Sequence, residues 1–198
     1  MAVRRAAGSL QAARKPRADS LRNRERLLKA AQRVFGAGGP EASLEAIAKR
    51  AGVGIGTLYR HFPTRDALFE AVYRREVEEL GALAERLAQE EASPVAALRQ
   101  WLRANVQLIA TKKGMLAALA LAAEGRSDLY AYSLERLTKA VGRLLERAVA
   151  AGEMRADITA EDLLRALVGL SHMYDRPDWQ ATVTRLVDVF VDGLLVRR

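Results

Sequence analysis

The stretch SLEAIAKRAGVGIGTLYRHF, residues 43–62, decides how the rest of the chain is read. Leu44, Ile47 and Ala48 recur at helical spacing, and Leu58 and Phe62, four apart, make the stripe of a second short segment. Gly52, Gly54 and Gly56 lie between the stripes. A glycine in a helix interior costs about 1 kcal/mol relative to alanine, so they mark an interruption and not one continuous helix. Ser43 is placed to cap the first helix and Gly52 to end it in a left-handed conformation. Ala51 is small, as close packing of two helices beside it demands. Two short helices joined by a glycine-containing turn form the helix-turn-helix arrangement, whose second helix can enter a major groove.

Outward from this unit the chain keeps a helical period, with no convincing strand alternation. Leu27, Leu28, Ala31, Val34 and Phe35 mark a helix before it, stopped by Gly36, Gly38, Gly39 and Pro40. After Pro63, Thr64 starts a long helix to about Glu91, with Asp66 favourably placed for its dipole. Ser93-Pro94 opens a helix to about Lys113, punctuated by Gly114. A short apolar helix over Met115–Ala123 comes next, then one from Ser127 to about Ala151. Thr159 with Asp162 forms a capping box for a helix to Tyr174, and Asp178 caps a last helix through Leu195. The expectation is an all-α chain of about nine helices with a boundary near Thr64. Residues 1–19 form a basic flexible tail, 20–64 the helix-turn-helix domain and 65–198 a body of longer helices.

Charge follows the same boundary. Residues 1–65 hold 14 Lys/Arg against 4 Asp/Glu, whereas residues 66–198 hold 18 against 20. A basic first third on a near-neutral remainder points to one end that meets a polyanion, here double-stranded DNA. For the tail three readings stand open: an inert extension, an arm on DNA, or an Arg- and Ala-rich targeting segment. With no cysteine there is no disulfide framework, which suits the cytoplasm. No apolar run approaches the roughly 18 residues of a membrane span. The two histidines, His61 and His172, are far apart in sequence and have no cysteine partner, so no metal site is expected. Neither a nucleophile with a paired base nor a phosphate-binding lysine loop is legible, so no enzyme and no cofactor is expected.

At residues 20–73 the pattern becomes specific. The first helix ending in Phe35-Gly36, the SLEAIAKRAGV helix and the run GTLYRHFPTRDAL from Gly56 to Leu68 are similar to the DNA-binding domain of TetR-family transcriptional regulators. The resemblance implies an all-helical homodimer, with three DNA-binding helices and a ligand-binding body of about six per subunit. It implies a ligand-responsive repressor on a pseudo-palindromic operator. Thr57 and Tyr59 would donate to phosphates, Arg65 would hold another, and Ser43 would cap its helix and touch the backbone. Ile55, Gly56, Arg60 and His61 would lie on or near the surface facing the bases. The chain departs from the family pattern at Gly54, where many members have serine, at Ile55, where a polar residue is usual, and at Glu45.

In the body, Trp101, Asn105, Leu108 and Ile109, continued by Met115, Leu116 and Leu119 and closed by Tyr130, Leu134 and Leu137, outline an apolar face with one amide on it. That is the usual form of a site for a small apolar or amphipathic effector, although any bundle core needs such stripes too. His172 is open to three roles: core, pocket donor or interface. Leu163, Leu167 and Leu170, with Val183, Leu186, Val187, Phe190 and Leu194, make the last two helices apolar over more than one face. Such helices need more than one partner: the body on one side and a second subunit on the other.

Overall fold

The computed structural model describes residues 3–36, 43–118, 127–172 and 178–196; side chains at 3–17, 114–118, 127 and 172 lie outside that description. Eight helices run along the described residues: α1 (Val3–Gly36), α2 (Leu44–Ala51), α3 (Ile55–His61), α4 (Arg65–Glu90), α5 (Pro94–Ala118), α6 (Ser127–Ala150), α7 (Ala160–His172) and α8 (Trp179–Gly193).

Local chemistry sets most of these ends. Ser43 Oγ accepts from the Ala46 amide at 3.0 Å, Thr64 Oγ1 from Ala67 at 3.0 Å and Ser93 Oγ from Ala96 at 3.2 Å. Thr159 and Asp162 form a reciprocal capping box, with Asp162 N donating to Thr159 Oγ1 and Thr159 N to Asp162 Oδ2. Asp178 stands at the start of α8 but makes no side-chain cap bond.

The structure differs from the sequence reading in two places. Residues 3–19, expected as a flexible tail, continue α1 as helix. Alanine and arginine make up more than half of that segment, and both are strong helix formers, although Gly8 and Pro16 are not. Helix α5 also runs through Gly114 to Ala118. One glycine costs about 1 kcal/mol, which a helix held by tertiary packing tolerates. Residues 119–123, the rest of the expected separate helix, lie outside the described residues, so eight helices stand among the described residues where about nine were expected of the chain.

One continuous apolar core joins the small N-terminal unit to the body. Leu27, Ala31 and Phe35 of α1 pack with Ile47, Ala48 and Ala51 of α2 and with Leu58 and Phe62. Helix α4 carries this core onward through Leu68, Phe69 and Val72 into Val77, Leu80 and Ala84. Trp101 of α5 is fully buried, its indole N–H donating to the Leu80 carbonyl at 2.9 Å. Arg75 ties α4 to α1 by bonding Glu25 at 2.6 Å. Arg103 grips Asp188 with two bonds of 2.8 and 2.7 Å, tying α5 to α8. Antiparallel pairing of Met154 with Leu195 closes the far end.

Gly52 ends α2 at φ 65°, ψ 40°, its N–H turned back onto the carbonyls of Ala48 and Lys49. A side chain there is strained, and an added Cβ would stand 2.8 Å from Arg26 Nη2. Gly52→Ala is expected to lose about 1–2 kcal/mol, read as a lower urea midpoint with unchanged slope. An unchanged midpoint would show that the turn has relaxed to another conformation.

Candidate functional site

The helix-turn-helix is held from inside and open outside. Leu58 and Phe62 of the α3 segment are buried, which fixes the rotation of α3 about its axis. The opposite face then has to point outward. Ile55 is 38% and Tyr59 47% exposed, Gly56 and Arg60 are exposed, and Thr57 and His61 are half-buried. Gly54 caps α3 without a side-chain bond; its carbonyl accepts from Thr57 N at 2.9 Å. An added Cβ at Gly54 or Gly56 would meet nothing within 4 Å. The fold therefore does not require glycine at Gly56, and the open space beside it faces away from the subunit. Arg60 folds back along its own helix, donating through Nε to the Gly56 carbonyl and through Nη2 to Thr57 Oγ1, both at 3.2 Å.

Arg65, the first residue of α4, is half-buried, and its Nη2 has no hydrogen-bond partner among the described residues. Sequence reasoning missed a ring of further cations around α3. Arg24 of α1 lies over the Phe62 ring at 5.3 Å, Arg26 reaches Gly52, and Lys49 and Arg50 are exposed at the end of α2. The signal lay in the basic residues of the first helix, but only packing sets them beside the turn. Glu45 is exposed on α2 and dilutes this positive field locally.

A second feature lies in the body. A cavity of about 230 Å³ sits among α4, α5, α6 and α7. Asn105, Leu108, Ile109, Tyr130, Leu134 and Leu137, all expected from the sequence, line it. Trp101 does not: its ring fills the core beside Leu80. Leu119 lies outside the described residues, as do the side chains of Met115, Leu116 and His172. The structure adds Tyr73, Lys112 and Ser133, together with Leu164, Leu167 and Val168 from α7. The Tyr73 hydroxyl donates to Ser133 Oγ at 3.2 Å, and Ser133 donates to the Tyr130 carbonyl at 2.9 Å. Burial pushes the Tyr73 phenol above its usual range and the Lys112 ammonium below its own.

A wider groove of about 390 Å³ lies nearer α1, lined among others by Gln32, Glu76, Gln107 and Leu108. Glu76 is 4% exposed. Its Oε1 accepts from Thr111 Oγ1 at 2.9 Å, while Oε2 has no partner among the described residues. Burial pushes this carboxyl up to about 8.

Both halves of the chain match known proteins. Residues 27–72 match the family described as bacterial regulatory proteins, tetR family, and residues 93–196 match the C-terminal domain of SbtR-like transcriptional regulators. The chain belongs to the TetR family of transcriptional regulators. Among solved structures of the family, it is 40% identical to SCO0520 from Streptomyces coelicolor, with a TM-score of 0.70 over 88% of this chain and 99% of that one. It is 34% identical to a regulator from Mycobacterium vanbaalenii, with a TM-score of 0.71 over 91% and 99%. It is also 30% identical over 136 residues to the HTH-type transcriptional repressor KstR of Mycobacterium tuberculosis, a match covering 68% of this chain and 61% of that repressor.

Within this TetR-family chain the residues expected at a subunit interface divide into two groups. Leu163, Leu167, Val183, Val187 and Leu194 are buried inside the subunit's own core. Leu170, Leu186 and Phe190 are only half-buried, and Val189, which the sequence reading did not single out, is 68% exposed. On α8, Leu186, Val189, Phe190 and Gly193 fall on one outward face at spacings of three, four and seven. Gly169 and Gly193 leave open space where a Cβ would stand.

Proposed function

We propose that this chain is a homodimeric, ligand-responsive repressor that binds a pseudo-palindromic operator through α3. The observation that carries the reading is the outward face of α3, where Ile55, Gly56, Thr57, Tyr59 and Arg60 are presented on a buried footing of Leu58 and Phe62. Thr57, Tyr59 and Arg65 position the helix on phosphates, with Ser43 at the neighbouring helix start; Ile55, Gly56, Arg60 and His61 meet base edges. The extra cations Arg24, Arg26, Lys49 and Arg50 strengthen the sequence-independent part of binding. Residues 20–64 are the DNA-binding unit and 65–198 the regulatory body, and the protein works in the cytoplasm beside its DNA.

The half-buried and exposed apolar residues Leu170, Leu186, Val189 and Phe190 support pairing of α7 and α8 with the same helices of a second subunit. A twofold axis sets the half-site spacing. The cavity supports an effector site because its walls belong to the two helices that matter. Tyr73 stands on α4, which follows the recognition helix after three residues, and Leu164 and Leu167 stand on α7. A ligand that favours one relative placement of α4 and α7 shifts the population away from the DNA-binding spacing, provided it binds the two states with different affinity.

The purified full chain should protect a symmetric genomic site with binding that falls steeply with salt. It should sediment as a dimer, and Val189→Asp should shift it toward monomer while weakening operator binding. Binding that is equally tight on every sequence would overturn the repressor reading, and an operator complex containing one subunit would overturn the dimer.

A further inference from the structure

The cavity between α4 and α7 has a polarity that its lining residues make specific. Two polar groups on α5 face it, Asn105 and Lys112. They are seven residues apart, hence on one face of the helix and separated by about 10 Å along its axis. Between and around them the walls are mostly apolar, with Leu108, Ile109, Leu137, Leu164 and Leu167; the hydroxyls of Tyr73 and Ser133 also line the cavity, but their protons are already given to Ser133 Oγ and the Tyr130 carbonyl.

The two ends differ. Asn105 is 2% exposed, and its Nδ2 has no hydrogen-bond partner among the described residues. Lys112 is half-buried, and its ammonium lies 4.3 Å from the centre of the Tyr130 ring. No carboxylate of the described residues pairs with Lys112. Leu134 and Val168, both substantially exposed, line the same cavity and mark its opening. A partly desolvated ammonium held only on an aromatic face gains most from an anion. A buried amide N–H without a partner gains most from an acceptor brought to it.

We infer that the cavity takes a small monocarboxylate whose apolar body carries one hydrogen-bond acceptor at its far end. Its carboxylate pairs with Lys112 near the opening, and a keto, hydroxyl or ether oxygen accepts from Asn105 at the deep end. Among the described residues one cation faces the cavity, which matches a monoanion, whereas a phosphate ester would bring more charge and more acceptors than Lys112 and Asn105 satisfy. The volume is below the roughly 300–1,000 Å³ of drug-sized sites, which limits the body to a short chain or a single ring. The inference rests on reading this cavity as the effector site.

Calorimetric titration of the full-length protein with octanoate, 7-oxooctanoate and their methyl esters tests it. Each acid should bind roughly 10- to 100-fold tighter than its ester, and the oxo acid tighter than octanoate. Lys112→Met should erase the acid–ester difference, Lys112→Arg should keep it, and Asn105→Leu should erase only the preference for the oxo group. Thermal melting of each variant alone establishes that it is folded.

Equal affinity of acids and esters, no binding of either acid at millimolar concentration, or an acid preference that survives in a folded Lys112→Met variant would each overturn the inference. Operator release, measured alongside, separates the two levels. Acids that bind with the stated discrimination but leave DNA bound support the ligand chemistry and refute the effector reading. Release by a compound that is not an acid, competing for the same cavity, refutes the chemistry and leaves the effector reading standing.

Discussion

Arg60→Ala is expected to weaken operator binding by about 1–3 kcal/mol per half-site, and so by roughly twice that for a dimer on a symmetric site. The loss should concentrate on one base pair in each half. Arg60 is exposed on the outward face of α3, and its guanidinium is a planar fork suited to the O6 and N7 of guanine. In the free protein that fork is parked on the Gly56 carbonyl and Thr57 Oγ1. Reaching a base means exchanging two exposed hydrogen bonds for two at the groove floor, which costs little. Tyr59→Phe and Arg65→Ala remove phosphate contacts instead. They should weaken binding on all sequences alike, and Arg65→Ala should lower the salt slope by about one. Fluorescence anisotropy on the operator and on its single-base variants, at several salt concentrations, distinguishes the two patterns. A uniform loss with Arg60→Ala would make Arg60 another phosphate contact and leave base readout to Ile55 and His61.

Glu76→Gln is expected to stabilise the protein by about 2–3 kcal/mol at pH 7 to 8, and not at all below about pH 5. The carboxyl is buried where α1, α4 and α5 meet, and burial raises it to about 8 from 4.5. The folded state therefore binds a proton that the unfolded chain releases above pH 4.5. Between those two values the native protein binds more protons, so wild-type stability falls as pH rises. The slope is roughly 1.4 kcal/mol per pH unit, or about 3 kcal/mol by pH 7. Glutamine has the shape of the protonated acid and does not titrate, though its unpartnered amide gives back part of the gain. Urea unfolding of both proteins at pH 5, 6, 7 and 8, at fixed protein concentration, measures the difference directly. Other titrating groups cancel in that difference, so a gap that stays constant with pH would show that Glu76 titrates normally in the fold.

Much of this was legible in short stretches. The interruption at Gly52 and Gly54, the caps at Ser43, Thr64, Ser93 and Thr159, and the inward stripe of Leu58 and Phe62 are all properties of residues within one turn of each other. The structure places each as the spacing predicted, while Gly56 lies inside α3 as its second residue. The face of α3 follows from them, since burying Leu58 leaves Tyr59 and Arg60 no inward direction. Gly114, expected to punctuate a helix, lies inside α5, and residues 3–19 take helical form ahead of the first expected helix. Composition marks where a helix is weak or free, but whether it continues depends on the whole helix and on what it packs against.

The body shows the other limit. Trp101 and Asn105 both belonged to one expected pocket wall, yet Trp101 fills the core and Asn105 faces the cavity. Leu167 was expected at a subunit interface and is buried within the subunit, while Val189, on the next helix, is the exposed one. The sequence by itself determined an all-helical chain, the two helices of the DNA reader, its basic end and its family, because those rest on periodicity, capping and local charge. Only the tertiary structure decided which side of each apolar helix is core, which is cavity and which stays exposed. It also decided that Glu76 is stripped of water and that Lys112 and Asn105 line one cavity. Hydrophobic burial is non-directional: a leucine gains similarly from any apolar neighbour, so its partner is fixed only when all the helices are packed together.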